Sequence, residues 1–355
     1  GGNPNQNCAS YIRNGQTIQG ADDGNGNCTY GSAFVGPQNN LTVDLFIPAL
    51  PNGGAHIFTS SLFVGQTYRT QADLAAAGIF EGGDGPTLTI EAGATLAFQT
   101  NSDFMIINRG SKILADGTLN NPITFTSVSD INGTVAPEDV QQWGGIVING
   151  FGVSNKCSYD GIRGDANFQL TPGTECSIEA EGSVGDDESQ YGGDNDADSS
   201  GILRYVRVKH TGAQVANGDE LNGISFGGVG NGTVIENLQV YSTYDDGVEF
   251  FVESEPEQAF TVNRDSPAAL ARAAAACWSR PWNGRYRRSS SRVARGARIR
   301  GRRHRIARRT SVSSVASRAC SVRAGTAATF PGRQRATSAF RRSSNRISGS
   351  RRSRW

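Results

Sequence analysis

Apolar residues come in runs of three to five, often alternating with polar ones, and glycine, asparagine or aspartate cuts each run short. Thr87-Leu88-Thr89-Ile90 alternates, Glu91-Ala92-Gly93-Ala94 turns, and Thr95-Leu96-Ala97-Phe98 alternates again. Phe104-Met105-Ile106-Ile107, Lys112-Ile113-Leu114, Ile123-Thr124-Phe125 and Ile146-Val147-Ile148 follow, with turns at Asn108-Arg109-Gly110 and Asp116-Gly117. A period of two, rich in β-branched and aromatic residues, predicts short half-buried strands. Residues 1–85 are less regular. They hold a Gly/Asn-rich start, a strand within Leu41–Ile47 and a short helix over Gln71–Ala77. This stretch is expected to form an N-terminal cap, because the end of a stack of strands exposes unpaired edges and apolar core.

A longer repeat lies over the short one. Asn222-Gly223-Ile224-Ser225-Phe226 returns as Asp246-Gly247-Val248-Glu249-Phe250, and Ile202 to Val208 returns as Val234 to Val240. The offsets, 24 and 32 residues, fit one coil with and without a short insertion. Several short strands per 20–30-residue period is what a parallel β-helix requires, since no coil buries its core without its neighbours. A sandwich would have a similar strand count but no reason for the recurring phrases. The expected fold is all-β, a parallel β-helix over residues 86–251.

Charge divides the chain. Residues 1–258 carry 32 acidic against 9 basic residues; residues 259–355 carry 25 arginines, no lysine and one acid, Asp265. The acidic segment repels nucleic acid and anionic lipid, and no apolar run is long enough to span a membrane. Cys8, Cys28, Cys157 and Cys176 form two local pairs around polar, Gly-rich loops. Their spacing predicts Cys8–Cys28 and Cys157–Cys176 disulfides and an oxidising, exported setting. The opening Gly1-Gly2-Asn3-Pro4-Asn5 reads as a mature end left by processing.

Six phrases occur in order: Gly110 to Gly117, Asn121 to Thr126, Trp143 to Asn149, Tyr191 to Val206, Gly227 to Thr233 and Asp245 to Phe251. Together they resemble a widespread group of bacterial secreted or surface proteins and lipoproteins without assigned activity. The resemblance implies a right-handed parallel β-helix, similar in shape to pectate lyases, and an extracellular or outer-surface address. It covers residues 80–251. Relatives continue into further coils after the double phenylalanine. Here Phe251 runs into Val252-Glu253-Ser254-Glu255-Pro256 and then the Arg/Ser/Ala-rich stretch. Residues 252–355 are read as frameshifted or disordered sequence, or else as a basic arm. Cys277 and Cys320 carry no weight in the first case.

Three groups of residues suggest chemistry. Asp186, Asp187, Glu188, Asp194, Asp196 and Asp198 crowd one loop. Hard cations such as Ca²⁺ take six to eight oxygens from such loops, although Ser199 and Tyr205 break the EF-hand pattern; a solvated loop is the other reading. Asp245 and Asp246 form a carboxylate pair of the kind that cleaves glycosidic bonds, or the start of a tight Asp-Gly turn. Arg204, Arg207 and Lys209, followed by His210, would line one strand face as a basic stripe for an acidic polysaccharide, unless nearby acids pair with them. Trp143 is either a sugar-stacking platform or a buried aromatic.

The sequence thus predicts a non-catalytic extracellular or cell-surface solenoid that binds glycan, ion or itself. The alternatives are a lyase or hydrolase acting on acidic polysaccharide, and a fibre-forming subunit. Its expected partners are polysaccharide, the cell envelope or further copies, with Ca²⁺ as the one candidate cofactor.

Overall fold

The computed structural model describes residues 8–36, 39–182, 189–216 and 219–251. Within them the chain visits three parallel sheets in the same order five times. The first coil contributes Leu45–Ile47, His56–Phe58 and Leu62–Val64; the second, Thr87–Ile90, Thr95–Phe98 and Met105–Ile107. The third contributes Lys112–Asp116, Ile123–Ser127 and Ile146–Asn149. The fourth contributes Gly201–Arg204, Val206–Lys209 and Ile224–Gly227, and the fifth Val234–Glu236, Gln239–Tyr241 and Val248–Phe251. The first strands of all coils form one sheet, the second strands another and the third strands a third. This is the predicted all-β parallel β-helix. Its register reproduces both repeat offsets, with Ile224 opposite Val248 and Ile202 opposite Val234.

Alternation places one set of residues from each strand inside, and equivalent residues stack coil upon coil. Ile47, Ile90, Ala115, Leu203 and Ile235 form one such buried row. Val64, Ile107, Ile148, Phe226 and half-buried Phe250 form another. Strands 4.7–4.9 Å apart bring equivalent side chains into contact, so each row is a continuous apolar column. Where two coils meet most closely only glycine fits. Gly201 adopts φ 120°, and a Cβ there would lie 1.9 Å from the Ile113 carbonyl oxygen.

An aromatic column runs up the interior of the second-strand sheet. Tyr30, Phe58 and Phe98 are in register. Phe34 packs edge-on to Tyr30, Tyr30 stacks on Phe58, and Phe58 on Phe98. Trp143, fully buried, then stacks on Phe98 at 4.6 Å and 5°. Its indole N–H donates to the Lys209 carbonyl at 2.8 Å. Trp143 is therefore the upper end of the core and not a sugar platform, which corrects that alternative: neither ring face is open to solvent.

The coils begin earlier than the composition suggests. The strands Leu45–Ile47, His56–Phe58 and Leu62–Val64 already pair in parallel with the second coil, so much of the stretch read as a cap belongs to the helix. Unequal connections hide the repeat there. Capping proper falls to the hairpin Ser10–Arg13/Gln16–Gln19 and the Cys8–Cys28 disulfide. Buried His56 sits beside them, its Nδ1 2.7 Å from the Tyr30 hydroxyl and its Nε2 2.7 Å from the Pro48 carbonyl. Burial pushes its pKa down to about 4, so the neutral ring bridges the two groups. The helix Gln71–Ala77 forms as expected, with Thr70 accepting from the Asp73 N–H and Gly78 closing it in the left-handed conformation.

Residues 202–208 are not one strand. Tyr205 takes φ 49° and turns the chain from one sheet into the next, and Asn237, its counterpart 32 residues on, does the same at 53°. The predicted stripe of Arg204, Arg207 and Lys209 is therefore divided: Arg204 lies on a different sheet from the other two.

Replacing Trp143 by alanine should destabilise the fold by about 3–5 kcal/mol, the usual cost of deleting a large buried aromatic. Chemical denaturation followed by circular dichroism measures it, and a loss under about 1 kcal/mol would contradict the core assignment.

Candidate functional site: a carboxylate pair at the last coil

The third-strand sheet is buried on both faces. Its outward row runs Phe63, Ile106, Val147, Ser225 and Glu249 in register, and all five are buried. The long connection between the third and fourth coils, residues 150–200, packs over the upper part of this face. Its hairpin Ile178–Glu179/Gln190–Tyr191 sets the Tyr191 ring directly above Gly227, where a Cβ would be 2.7 Å away. The Cys157–Cys176 disulfide closes the connection, and Arg109 anchors it. The guanidinium of Arg109 donates to the carbonyls of Cys176, Gly192 and Tyr68 and to the Ser177 hydroxyl, at 2.9–3.1 Å. Burial pushes that cation down to about 10, against the pull of Glu175.

Under this cover an apolar row ends in a carboxylate. Glu249, 8 % exposed, stands where earlier coils place Ile106 and Val147. It accepts from the Asn222 amide at 2.7 Å and shares a hydrogen bond with Glu181 of the hairpin. The same amide nitrogen lies 3.1 Å from the Ser225 hydroxyl and 3.4 Å from Glu181, and the Asn222 carbonyl oxygen accepts from the Asp246 N–H at 3.2 Å. Burial pushes Glu249 up to about 8; the hydrogen bond and charge of Glu181 and the charge of Asp246 add to this, and Asn222 offsets part of it. A carboxyl taken out of water and set against a second one ionises less readily, so Glu249 keeps its proton to higher pH than an ordinary carboxyl. The Tyr191 phenol is pushed up by burial first and then by the charges of Glu249 and Glu181.

Such a pair offers a proton donor next to a proton acceptor near neutral pH. Its geometry limits what it can do to a sugar. Carboxyls that flank a glycosidic bond stand about 5–9.5 Å apart, and these two touch.

The predicted acids are distributed as follows. Asp245 is exposed, whereas Asp246 is buried and faces Asn222 and Glu249. The turn thus leaves one carboxylate in water and the other buried. Strand alternation alone would point Glu249 away from Asp246, but Asp246 lies in the turn before the strand Val248–Phe251, where alternation does not hold. Glu181 carried no sequence signal.

In the acidic loop, Asp186, Asp187 and Glu188 lie outside the described residues. Asp194 accepts from the Leu170 N–H at 2.8 Å, and Asp196 forms a two-point ion pair with Arg163. Asp198, 2 % exposed, accepts from the N–H groups of Gly82 and Phe151, and burial raises its pKa. Each carboxylate thus serves a different segment. Among the described residues no three His, Cys, Asp or Glu side chains converge to hold a metal ion.

Two of the three predicted cations are also engaged. Arg204 bridges Asp116 and Glu236, both at 2.6 Å. Lys209 pairs with Asp130 at 2.5 Å, where Thr126 also donates and His210 Nε2 lies 3.5 Å away. Burial opposes charge on Asp130, but the bonds from Lys209 and Thr126 outweigh it and hold the carboxyl below its ordinary value. Arg207 is exposed on the second-strand sheet, between Thr124 and Gln239.

The family model of the pectate-lyase-like β-helix domain matches residues 62–265, more than half of the chain. The chain belongs to this family. Searches of curated proteins and of solved structures find no match. The matched span of the pectate-lyase-like β-helix domain takes in all but the first two strands of the coils, together with Glu181, Asn222, Asp246 and Glu249. Among the described residues no helix is long and apolar enough to cross a membrane.

Replacing Glu249 by glutamine should stabilise the domain at neutral and mildly alkaline pH. A carboxyl whose folded pKa is raised contributes its full stability below about pH 4.5, and that stability drains away as pH rises towards about 8. Glutamine keeps the shape without the charge, so the variant should gain about 1–3 kcal/mol over the parent at pH 8, with little difference at pH 4. Thermal unfolding across this range checks it; parallel curves for the two proteins would refute the raised carboxyl.

Proposed function

We propose that this pectate-lyase-like β-helix domain is a non-catalytic extracellular or cell-surface scaffold that presents its sheet faces to glycan, ion or further copies of itself. The observation that carries this reading is the engagement of two of the three cations. Arg204 and Lys209, which would meet an acidic polymer, are held by Asp116, Glu236 and Asp130. The buried Trp143 and the touching pair of Glu181 and Glu249 support it further. Both disulfides suit an oxidising compartment.

The first-strand sheet offers a face for such binding. Its outward row of Phe46, Thr89, Leu114, Ile202 and Val234 is exposed at Phe46 and half-buried beyond it.

A second reading, cleavage of an acidic polysaccharide, draws on one observation: the carboxyl of Glu249, pushed up to about 8, meets that of Glu181 at the last coil, with Asp246 nearby. It requires Glu181 and Glu249 to separate around the bond.

Incubation with polygalacturonate, with and without Ca²⁺, decides between the readings. The scaffold reading expects neither unsaturated uronate absorbance nor new reducing ends. Either product, if lost in the Glu249→Gln variant, would replace that reading with the catalytic one.

A further inference from the structure

We infer that the turn at residues 162–165 is a docking point for a cell-adhesion receptor, a protein that offers a bound divalent cation to the Asp165 carboxylate and an acidic pocket to the Arg163 guanidinium. The inference rests on the extracellular or cell-surface reading and gives it a partner.

Three features carry it. First, Arg163-Gly164-Asp165 sets a cation and an anion on either side of one glycine, and residues 161–167 are all exposed. The Asp165 N–H donates to the Ile162 carbonyl at 2.9 Å, which closes a tight turn around Arg163 and Gly164. Gly164 takes φ 92°, where a side chain would be strained, and a Cβ there would meet nothing within 4 Å. The backbone between the two charges is therefore bare, and one approaching surface reaches both. Ile162, 71 % exposed, adds an apolar contact beside them.

Second, the two charges differ in what they meet within the chain. The Asp165 carboxylate has no hydrogen-bond donor or cation among the described residues. Unlike Asp194, Asp196 and Asp198, it closes no connection. Carboxylate oxygens are the ligands that hard divalent cations prefer, and this one stands at the tip of a turn. Arg163 is gripped at two points by Asp196, through Nε at 2.5 Å and a terminal nitrogen at 2.8 Å. The same fork suits a carboxylate in a receptor pocket. Both side chains are about one-third exposed, at 34 % and 31 %. A surface pair of this kind contributes about 0–1 kcal/mol, so it is a small obstacle to exchange.

Third, the tip stands on a firm stem. The strands Tyr159–Asp160 and Gln169–Leu170 pair below it. The Tyr159 ring stacks on Phe168 at 5.1 Å, and its hydroxyl donates to the Gly193 carbonyl. Thr171 donates to Asp160, and the Cys157–Cys176 disulfide closes the base. A tripeptide fixed in one turn loses less freedom on binding than one in an open chain.

Surface plasmon resonance tests this, with the full chain passed over a panel of immobilised integrin ectodomains that bind Arg-Gly-Asp peptides, in the presence of Mn²⁺. Saturable binding to at least one of them is expected. EDTA should abolish it, and a linear Arg-Gly-Asp peptide should compete where an Arg-Gly-Glu peptide does not. Asp165→Glu should weaken binding about tenfold or more, because the added methylene moves the oxygens off the metal. Arg163→Gln should weaken it as well. Circular dichroism matching the parent shows that each variant is folded. No binding across the panel would overturn the inference, and so would binding that survives EDTA or that a folded Asp165→Glu variant retains in full. Such a failure leaves the scaffold reading standing, since that reading falls only to products from polygalacturonate.

Discussion

Everything in this molecule depends on parallel pairing between successive coils. A single coil of three short strands has no inside. Its apolar residues leave water only when the next coil lays equivalent residues against them, and the backbone hydrogen bonds that fix the spacing also fix which residue meets which. This explains why equivalent positions keep their type along a row, as in Val64, Ile107, Ile148, Phe226 and Phe250. It also explains why connections vary freely. The link between the first two coils holds a helix, that within the third coil another, and that between the third and fourth coils two hairpins and a disulfide. None of these breaks the stack, because each returns the chain to the same register.

The same constraint accounts for what was legible in the sequence. The last two coils differ by one short insertion, so Ile224 opposite Val248 and Ile202 opposite Val234 emerge as phrases repeated at fixed offsets. Both disulfides follow from local spacing. The first coil was not legible, since its strands are three residues long and its connections unequal. The corners at Tyr205 and Asn237 were missed for a subtler reason. A non-glycine residue with positive φ is uncommon, so Ile202 to Val208 reads as unbroken alternation although the chain changes sheets in the middle.

Least legible was the carboxylate pair. Recognising Glu249 as anomalous requires knowing that it stands in the row of Ile106 and Val147, and the 51-residue connection separating the third and fourth coils hides that row. Aspartates spaced like metal ligands are conspicuous in a sequence, whereas a glutamate is conspicuous only against its structural neighbours. The conspicuous ones turned out to have separate tasks: Asp194, Asp196 and Asp198 each tie down a different piece of backbone or side chain.

That contrast bears on how an acidic β-helix manages its charge. Along the helix, carboxylates are spent on closing connections: Asp198 on two backbone amides, Asp130 on Lys209, Asp116 and Glu236 on Arg204. Each has a donor or a cation. Glu249 is placed differently. It stands at the end of an outward row that is apolar for three coils, where it accepts from the Asn222 amide and meets Glu181 of the connection above. Burial and a like neighbour both oppose its charge, so the surroundings that favour ionisation at Asp130 work against it here.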